Sequence, residues 1–130
     1  IQINNTEICR DLIALGVTPR KSETAEFCNY IPEELKIHYL RGYVDGDGYF
    51  RKNTSYELSI LATIPFINSV IEKFNIKSYA IKSKSKNDKV FTFRINSKES
   101  KYLIEKMYIN SNIYLDRKYK KAIAVLDRNI

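Results

Sequence analysis

Apolar positions along this chain change period several times, and each change marks an element. Ile8, Leu12 and Leu15 recur at helical spacing behind Asn4, Asn5 and Thr6, which suit a helix cap. Glu7 adds first-turn charge and Gly16 suits a helix C-terminus, after which a polar linker runs to about Glu26. Phe27, Tyr30 and Ile31 are placed to cover the start of a second helix. That helix opens at Pro32, with Glu33 and Glu34 at the positive end of its dipole. Leu35, Tyr39, Gly42 and Gly46 fall on one of its faces, and Ile37, Leu40 and Val44 on another. Such a helix is expected to be packed on two sides. A glycine costs about 1 kcal/mol in a helix interior, so Gly42 and Gly46, one turn apart, argue for close approach of another backbone.

After Gly48 the period falls to two. The pattern predicts strands at Tyr49–Asn53 and Tyr56–Leu61 with a turn through Asn53, Thr54 and Ser55. A helix from about Pro65 to Phe74 carries Phe66, Ile67, Val70, Ile71 and Phe74. Strands return at Tyr79–Ser83 and Val90–Ile95, joined by a polar loop from Lys84 to Lys89. Asn96, Ser97 and Glu99 start a helix with Leu103, Ile104 and Met107 on its apolar face, and a last helix spans about Leu115–Leu126. Phe50, Leu58, Ile60, Ile81, Phe91, Phe93 and Ile95 are read as facing the helices. Tyr49, Arg51, Asn53, Glu57, Ser59, Lys82, Lys84, Thr92 and Arg94 then face outward. The strands alternate as in a sheet covered on one side only, an α+β arrangement.

At 130 residues and 44% apolar, the chain is long enough for one core and too apolar to be disordered. No run approaches the roughly 18 apolar residues of a membrane span, and no signal peptide opens the sequence. Cys9 and Cys28 lack metal-ligand spacing and read as reduced thiols of an intracellular protein, whether cytoplasmic or organellar. The single His38 leaves no histidine-rich zinc site and reads as packed or hydrogen-bonded. A net charge of +7 favours a polyanionic partner.

The chemistry concentrates in Asp45-Gly46-Asp47-Gly48. Two carboxylates at the C-terminal end of a helix are unfavourable unless something positive compensates them, and a metal ion is the natural candidate. A Ca²⁺ loop does not fit, because no carboxylates follow at the required positions. An Asp-x-Asp phosphotransferase would need these aspartates at the end of a buried strand, whereas Leu35 to Val44 reads as helix.

Leu40-Arg41-Gly42-Tyr43-Val44-Asp45-Gly46-Asp47-Gly48 resembles the signature of the LAGLIDADG homing endonucleases, and the element order from it onward resembles that family's αββαββα core. The resemblance implies an antiparallel four-stranded sheet with helices on one face. It implies a site-specific, divalent-metal-dependent double-strand DNA endonuclease, or one half of one. The alternative is a catalytically inactive DNA- or RNA-binding relative, such as an intron maturase or regulator. By carry-over, Asp47 and the carbonyl of Gly46 bind Mg²⁺ or another divalent cation, and Asp45 bonds nearby backbone groups at the helix end. Gly42 and Gly46, with Asp45, belong to an interface with a second LAGLIDADG domain, in a longer chain or in a homodimer. Lys118 takes the place of the family's basic residue near the active site, with Asp47 the other catalytic residue. The outward residues of the sheet, Tyr49, Arg51, Asn53, Ser59, Lys82, Lys84, Thr92 and Arg94, lie along double-stranded DNA. The polar residue that several relatives carry just after the second strand is replaced by Ala62 and Thr63.

An internal echo points the same way. Ile1-Gln2-Ile3-Asn4-Asn5, Leu12-Ile13 and Arg20-Lys21 resemble Phe93-Arg94-Ile95-Asn96-Ser97, Leu103-Ile104 and Arg117-Lys118. Residues 1–24 then read as the tail of a preceding copy plus a linker, with Lys21 as the counterpart of Lys118, and residues 25–130 as the domain itself.

Overall fold

The computed structural model describes residues 2–15, 17, 26–51, 54–83 and 89–127. Helix α1 (Thr6–Ala14) is followed, after the linker, by a 3₁₀ turn at Glu33–Leu35 and helix α2 (Lys36–Asp47). Strands β1 (Gly48–Phe50) and β2 (Tyr56–Ala62), helix α3 (Ile64–Lys73) and strands β3 (Tyr79–Lys82) and β4 (Phe91–Asn96) come next. Helices α4 (Ser97–Tyr108) and α5 (Asp116–Leu126) complete the order. From α2 onward this is αββαββα with one further helix, and the sheet is antiparallel throughout in the order β1-β2-β4-β3.

Local chemistry sets the helix starts. Asn5, Thr63 and Asn96 cap α1, α3 and α4, each accepting a backbone N–H of the first turn on its side-chain oxygen. Pro32 precedes the 3₁₀ turn, so α2 begins four residues later than its proline suggests. Glu99, within the first turn of α4, turns away to accept the N–H groups of Lys77 and Ser78 at 2.8 and 2.9 Å, tying α4 to the entry of β3.

The core lies between one face of the sheet and the helices. Leu58, Ile60, Phe93 and Ile95 of the two central strands meet Leu40 and Val44 of α2, Phe66 and Ile67 of α3, and Leu103, Ile104 and Met107 of α4. Phe27 is buried against Tyr39, Phe66 and Phe74, as a cover for the start of α2 should be. Tyr30 does not share that role: it is 81% exposed, because the chain turns there before reaching the helix. Ile81 is partly exposed as well, since β3 is the sheet edge beyond the reach of the helices.

Each expected strand shifts at a limit, β2 and β4 by a single residue. The first strand ends at Phe50, with Lys52 and Asn53 outside the described residues, and the third ends at Lys82, with Lys84 also outside them. Helix α1 buries none of its side chains, so its apolar stripe of Ile8, Leu12, Ile13 and Leu15 is uncovered. Cys9 and Cys28 are free thiols, exposed and buried respectively. No helix among the described residues is long and apolar enough to cross a membrane.

Candidate acidic centre and nucleic-acid interface

Helix α2 presents two different faces. Leu40, Arg41, Val44 and Asp45 are buried against the body of the domain. Gly42 and Gly46 are exposed, and a Cβ at either would meet nothing within 4 Å. The face read as the second packed side is therefore open in this chain. Gly48 is the glycine that the fold itself requires. A Cβ there would lie 2.6 Å from both the carbonyl oxygen and Cγ1 of Val44, where β1 leaves the helix.

Arg41 reaches from the buried face to the far end of α4. Its Nη1 donates to the carbonyl of Met107 and to Nδ1 of His38, each at 2.9 Å. A cation at the last carbonyls of a helix is favourably placed. His38 is thereby hydrogen-bonded and exposed, as a support for Arg41.

The two aspartates differ sharply. Asp45 is buried, with Oδ1 accepting the Tyr108 hydroxyl at 2.5 Å and Oδ2 accepting the Leu115 N–H at 2.9 Å, just before α5. Both of its oxygens are committed to holding helix ends together. Asp47 is exposed and opens on a cleft of about 250 Å³ that it shares with Tyr49, Arg51, Ser59, Leu61, Thr92 and Arg94. Behind it the buried Lys118 donates its amino group to the carbonyl of Gly48. Burial, then its neighbours Arg117 and Lys121, lower the Lys118 pKa, while the charges of Asp45 and Asp47 pull it back up.

Strand register explains how the cleft is assembled. Tyr49 pairs with Ser59, Ser59 with Arg94, and Arg94 with Ala80, giving one row across the outer face. In the next row Leu61 pairs with Thr92 and Thr92 with Lys82, and Asp47 at the end of α2 opens on the same cleft as Leu61 and Thr92. Of the expected outward residues, Tyr49, Ser59, Lys82, Thr92 and Arg94 thus share one face. Ser59 is a correction in one respect: it is buried on that face, at the floor between Tyr49 and Arg94, whose longer side chains shade it. Glu57 is a further correction: it is buried, at a register shift between Tyr56 and Leu58 where the strand alternation is interrupted. The rim carries the accessible cations. The Arg51 guanidinium and the Lys121 amino group each sit 5.5 Å from the Tyr49 ring centre. Arg94 is half-buried, and its Nε has no hydrogen-bond partner.

Besides Arg41 and Tyr108, Tyr43 and Leu61 are site residues that the sequence pattern did not single out. Tyr43 donates its hydroxyl to the Leu61 carbonyl at 3.0 Å and stacks on Phe66 at 4.0 Å, pinning α2 to the end of β2. Burial first, and then the charge of Asp47, push its pKa up to about 12. Leu61 continues the outward alternation from Ser59 by one more step, which the period of two already contained.

A helix-end carboxylate beside last-turn carbonyls is an oxygen-only donor set, since an α-helix leaves those carbonyls without intrahelical donors. Among the described residues no group of three or more His, Cys, Asp or Glu comes together, so the described site presents the single exposed carboxylate of Asp47. That suits Mg²⁺, which is commonly held by one or two carboxylates together with water and substrate phosphate.

A signature helix feeding a four-stranded antiparallel sheet, with an exposed aspartate at the junction, defines a homing-endonuclease type of fold. The LAGLIDADG-like domain family matches residues 34–107, and the chain belongs to that family. Among solved structures, the fold is similar to the homing endonuclease I-CvuI, solved with the I-CreI target DNA C1221 in the presence of 2 mM Mg with the DNA not cleaved. The TM-score is 0.53 at 22% identity, over 73% of this chain and 66% of that one. The chain thus spans just under two thirds of that neighbour's length. No curated protein matched.

Proposed function

We propose that this domain is one half of a divalent-metal-dependent DNA endonuclease that cleaves both strands at a specific site. The observation that carries it is the shared cleft. The exposed carboxylate of Asp47 opens onto the same cleft as Arg51, Thr92 and Arg94 on the outer face of the sheet. The two chemistries a nuclease needs, a hard-cation ligand and a cationic surface for phosphate and base edges, therefore adjoin. The neighbour's complex with DNA supports the sheet of this fold as a DNA surface.

Asp47 and the Gly46 carbonyl would hold the cation, with Lys118 fixed behind them on Gly48. When bound, Mg²⁺ would supply Lewis-acid stabilisation of phosphate charge and assist attack by water. The protein's own contribution is placement. Tyr108 and Leu115 lock Asp45, which fixes the end of α2 and hence the direction of Asp47. Lys118 sets positive charge beside two carboxylates that would otherwise oppose the helix dipole. Arg51, Lys82 and Arg94 supply donors along the DNA.

One half-site holds one carboxylate, so a second copy or a second domain would meet the Gly42/Gly46 face and complete the enzyme. The uncovered stripe of α1 and its Asn5 cap, which parallels Asn96 on α4, support residues 1–24 as the end of a preceding copy. The test is Mg²⁺-dependent cleavage of a selected DNA site by the chain, alone and joined to a second copy. Binding without cleavage in either form would leave the second reading, a nucleic-acid-binding relative. One feature favours that reading: Thr63, which stands just after β2 where several relatives carry a polar residue, is buried and its hydroxyl is taken up in capping α3 by accepting the Phe66 N–H.

A further inference from the structure

We propose that Leu61, with Thr92 beside it, reads the C5-methyl group of a thymine in the major groove, next to the acidic centre. This rests on the reading of the sheet as a DNA surface and assigns one specificity to it. A single exposed leucine is ordinary on a protein surface and by itself needs no explanation. Leu61 is set apart by its place. It stands 45% exposed on a central strand of the outer face, whereas Ser59, two residues earlier on the same strand, is buried. Its row across the sheet runs from Leu61 through Thr92 to Lys82, and the cleft it lines also holds Asp47 from the end of α2, so an apolar side chain projects among a carboxylate and polar or cationic neighbours.

Its position is also fixed. The backbone is paired with Thr92 of β4, and its carbonyl accepts the hydroxyl of Tyr43, which is itself stacked on Phe66. A fixed apolar contact gains nothing from a phosphate and loses nothing by leaving base-edge donors to others. In the major groove the thymine methyl is the apolar group on offer, and side chains of this kind are its usual contact. The cleft that Leu61 lines also holds Asp47, which places the recognised thymine beside the reacting phosphate.

The experiment starts with a library of random double-stranded DNA, selected for binding to the chain and sequenced. Each thymine of the consensus is then replaced singly by deoxyuridine, which deletes the methyl and nothing else. Affinities are measured for the wild type and for Leu61→Ala. One thymine should stand out, its demethylation weakening wild-type binding roughly fourfold, the worth of one buried methyl. The same replacement should leave Leu61→Ala binding unchanged. A methyl effect of equal size in both proteins, or none at any thymine, would overturn this assignment while leaving the DNA reading intact. A library from which no sequence is enriched would remove both.

Discussion

Asp45 and Tyr108 are 63 residues apart in sequence and meet at 2.5 Å, carboxylate to hydroxyl, in the interior. The contact binds the end of α2 to the end of α4, and the other carboxylate oxygen binds the Leu115 N–H ahead of α5. Three helices therefore share one side chain. Asp45→Asn can keep its Oδ1 on the Leu115 N–H, but its amide N–H then faces the Tyr108 hydroxyl and the charge-assisted bond is lost. Stability should fall by about 1–3 kcal/mol, the worth of a hydrogen bond to a charged group. Tyr108→Phe removes the same bond and should cost a similar amount. Urea titrations of the two variants decide it, and equal stability to wild type for both would remove the strut.

The glycines of the signature should separate into two kinds. Gly48→Ala drives a Cβ into the Val44 backbone and should destabilise the chain by about 1–3 kcal/mol, as overpacking does. Gly42→Ala and Gly46→Ala meet open space and remove the entropic cost of glycine, so each should raise the isolated domain's stability by up to about 1 kcal/mol. If a second copy packs there, the same two changes should lower self-association measured by sedimentation. Loss of stability in Gly42→Ala would mean that this face is already occupied within the chain.

Much of this was legible in the sequence, for identifiable reasons. Period-two alternation and a period-3.6 stripe are local, so element order and the division of Tyr49, Arg51, Thr92 and Arg94 from Phe50, Leu58 and Phe93 could be read directly. Burial is not local. Ser59 sits on the expected face but is shaded by Tyr49 and Arg94, which reach it only through strand pairing. The Lys118 amino group, which in sequence reads equally well as a solvated lysine, is buried on the Gly48 carbonyl 70 residues away. The partners of Asp45 are equally distant, and no spacing rule points to them.

Alkaline titration should find Tyr43 late. Its pKa is raised to about 12 by burial and by the charge of Asp47, and that of Tyr108 is raised by burial and the bond to Asp45. Both are protonated in the folded state at a pH where an unfolded tyrosine, near 10, has begun to ionise. Their contribution to stability is complete below pH 10 and is lost as pH rises toward the folded values. Tyr43→Phe should remove one late-ionising phenol from the ultraviolet titration and flatten the decline in stability above pH 10. A titration in which every tyrosine ionises together near pH 10 would contradict the assignment.

DNA affinity should fall steeply with salt, with a slope of log K against log salt of about −0.9 for each phosphate neutralised. Arg51 and Lys82 lie exposed at the rim of the outer face, and either change to alanine should flatten the slope by about one unit. Arg94 lies in a middle row with its Nε unpaired, so Arg94→Ala should instead relax sequence preference at one position and cost about 1–3 kcal/mol there. Identical salt slopes for wild type, Arg51→Ala and Lys82→Ala would place the phosphates on another surface.

Asp47→Asn should separate cleavage from binding. The two side chains are nearly isosteric, and Asp47 is exposed with no structural hydrogen bond among the described residues, so α2 and the turn into β1 should survive. The substitution removes one full negative charge from a hard-cation site, and a neutral amide oxygen is a much poorer ligand for Mg²⁺ than a carboxylate. Cleavage by the assembled enzyme should therefore drop by orders of magnitude. Binding should persist, and tighten where the carboxylate had faced phosphate without its cation. Asp45→Asn predicts the opposite pattern, with lower melting temperature and residual cleavage in proportion to the folded fraction. Melting, DNA binding and Mg²⁺-dependent cleavage measured on the same preparations distinguish the two aspartates. An Asp47→Asn protein that stays folded and cuts at the wild-type rate would end the case for this carboxylate as the metal ligand.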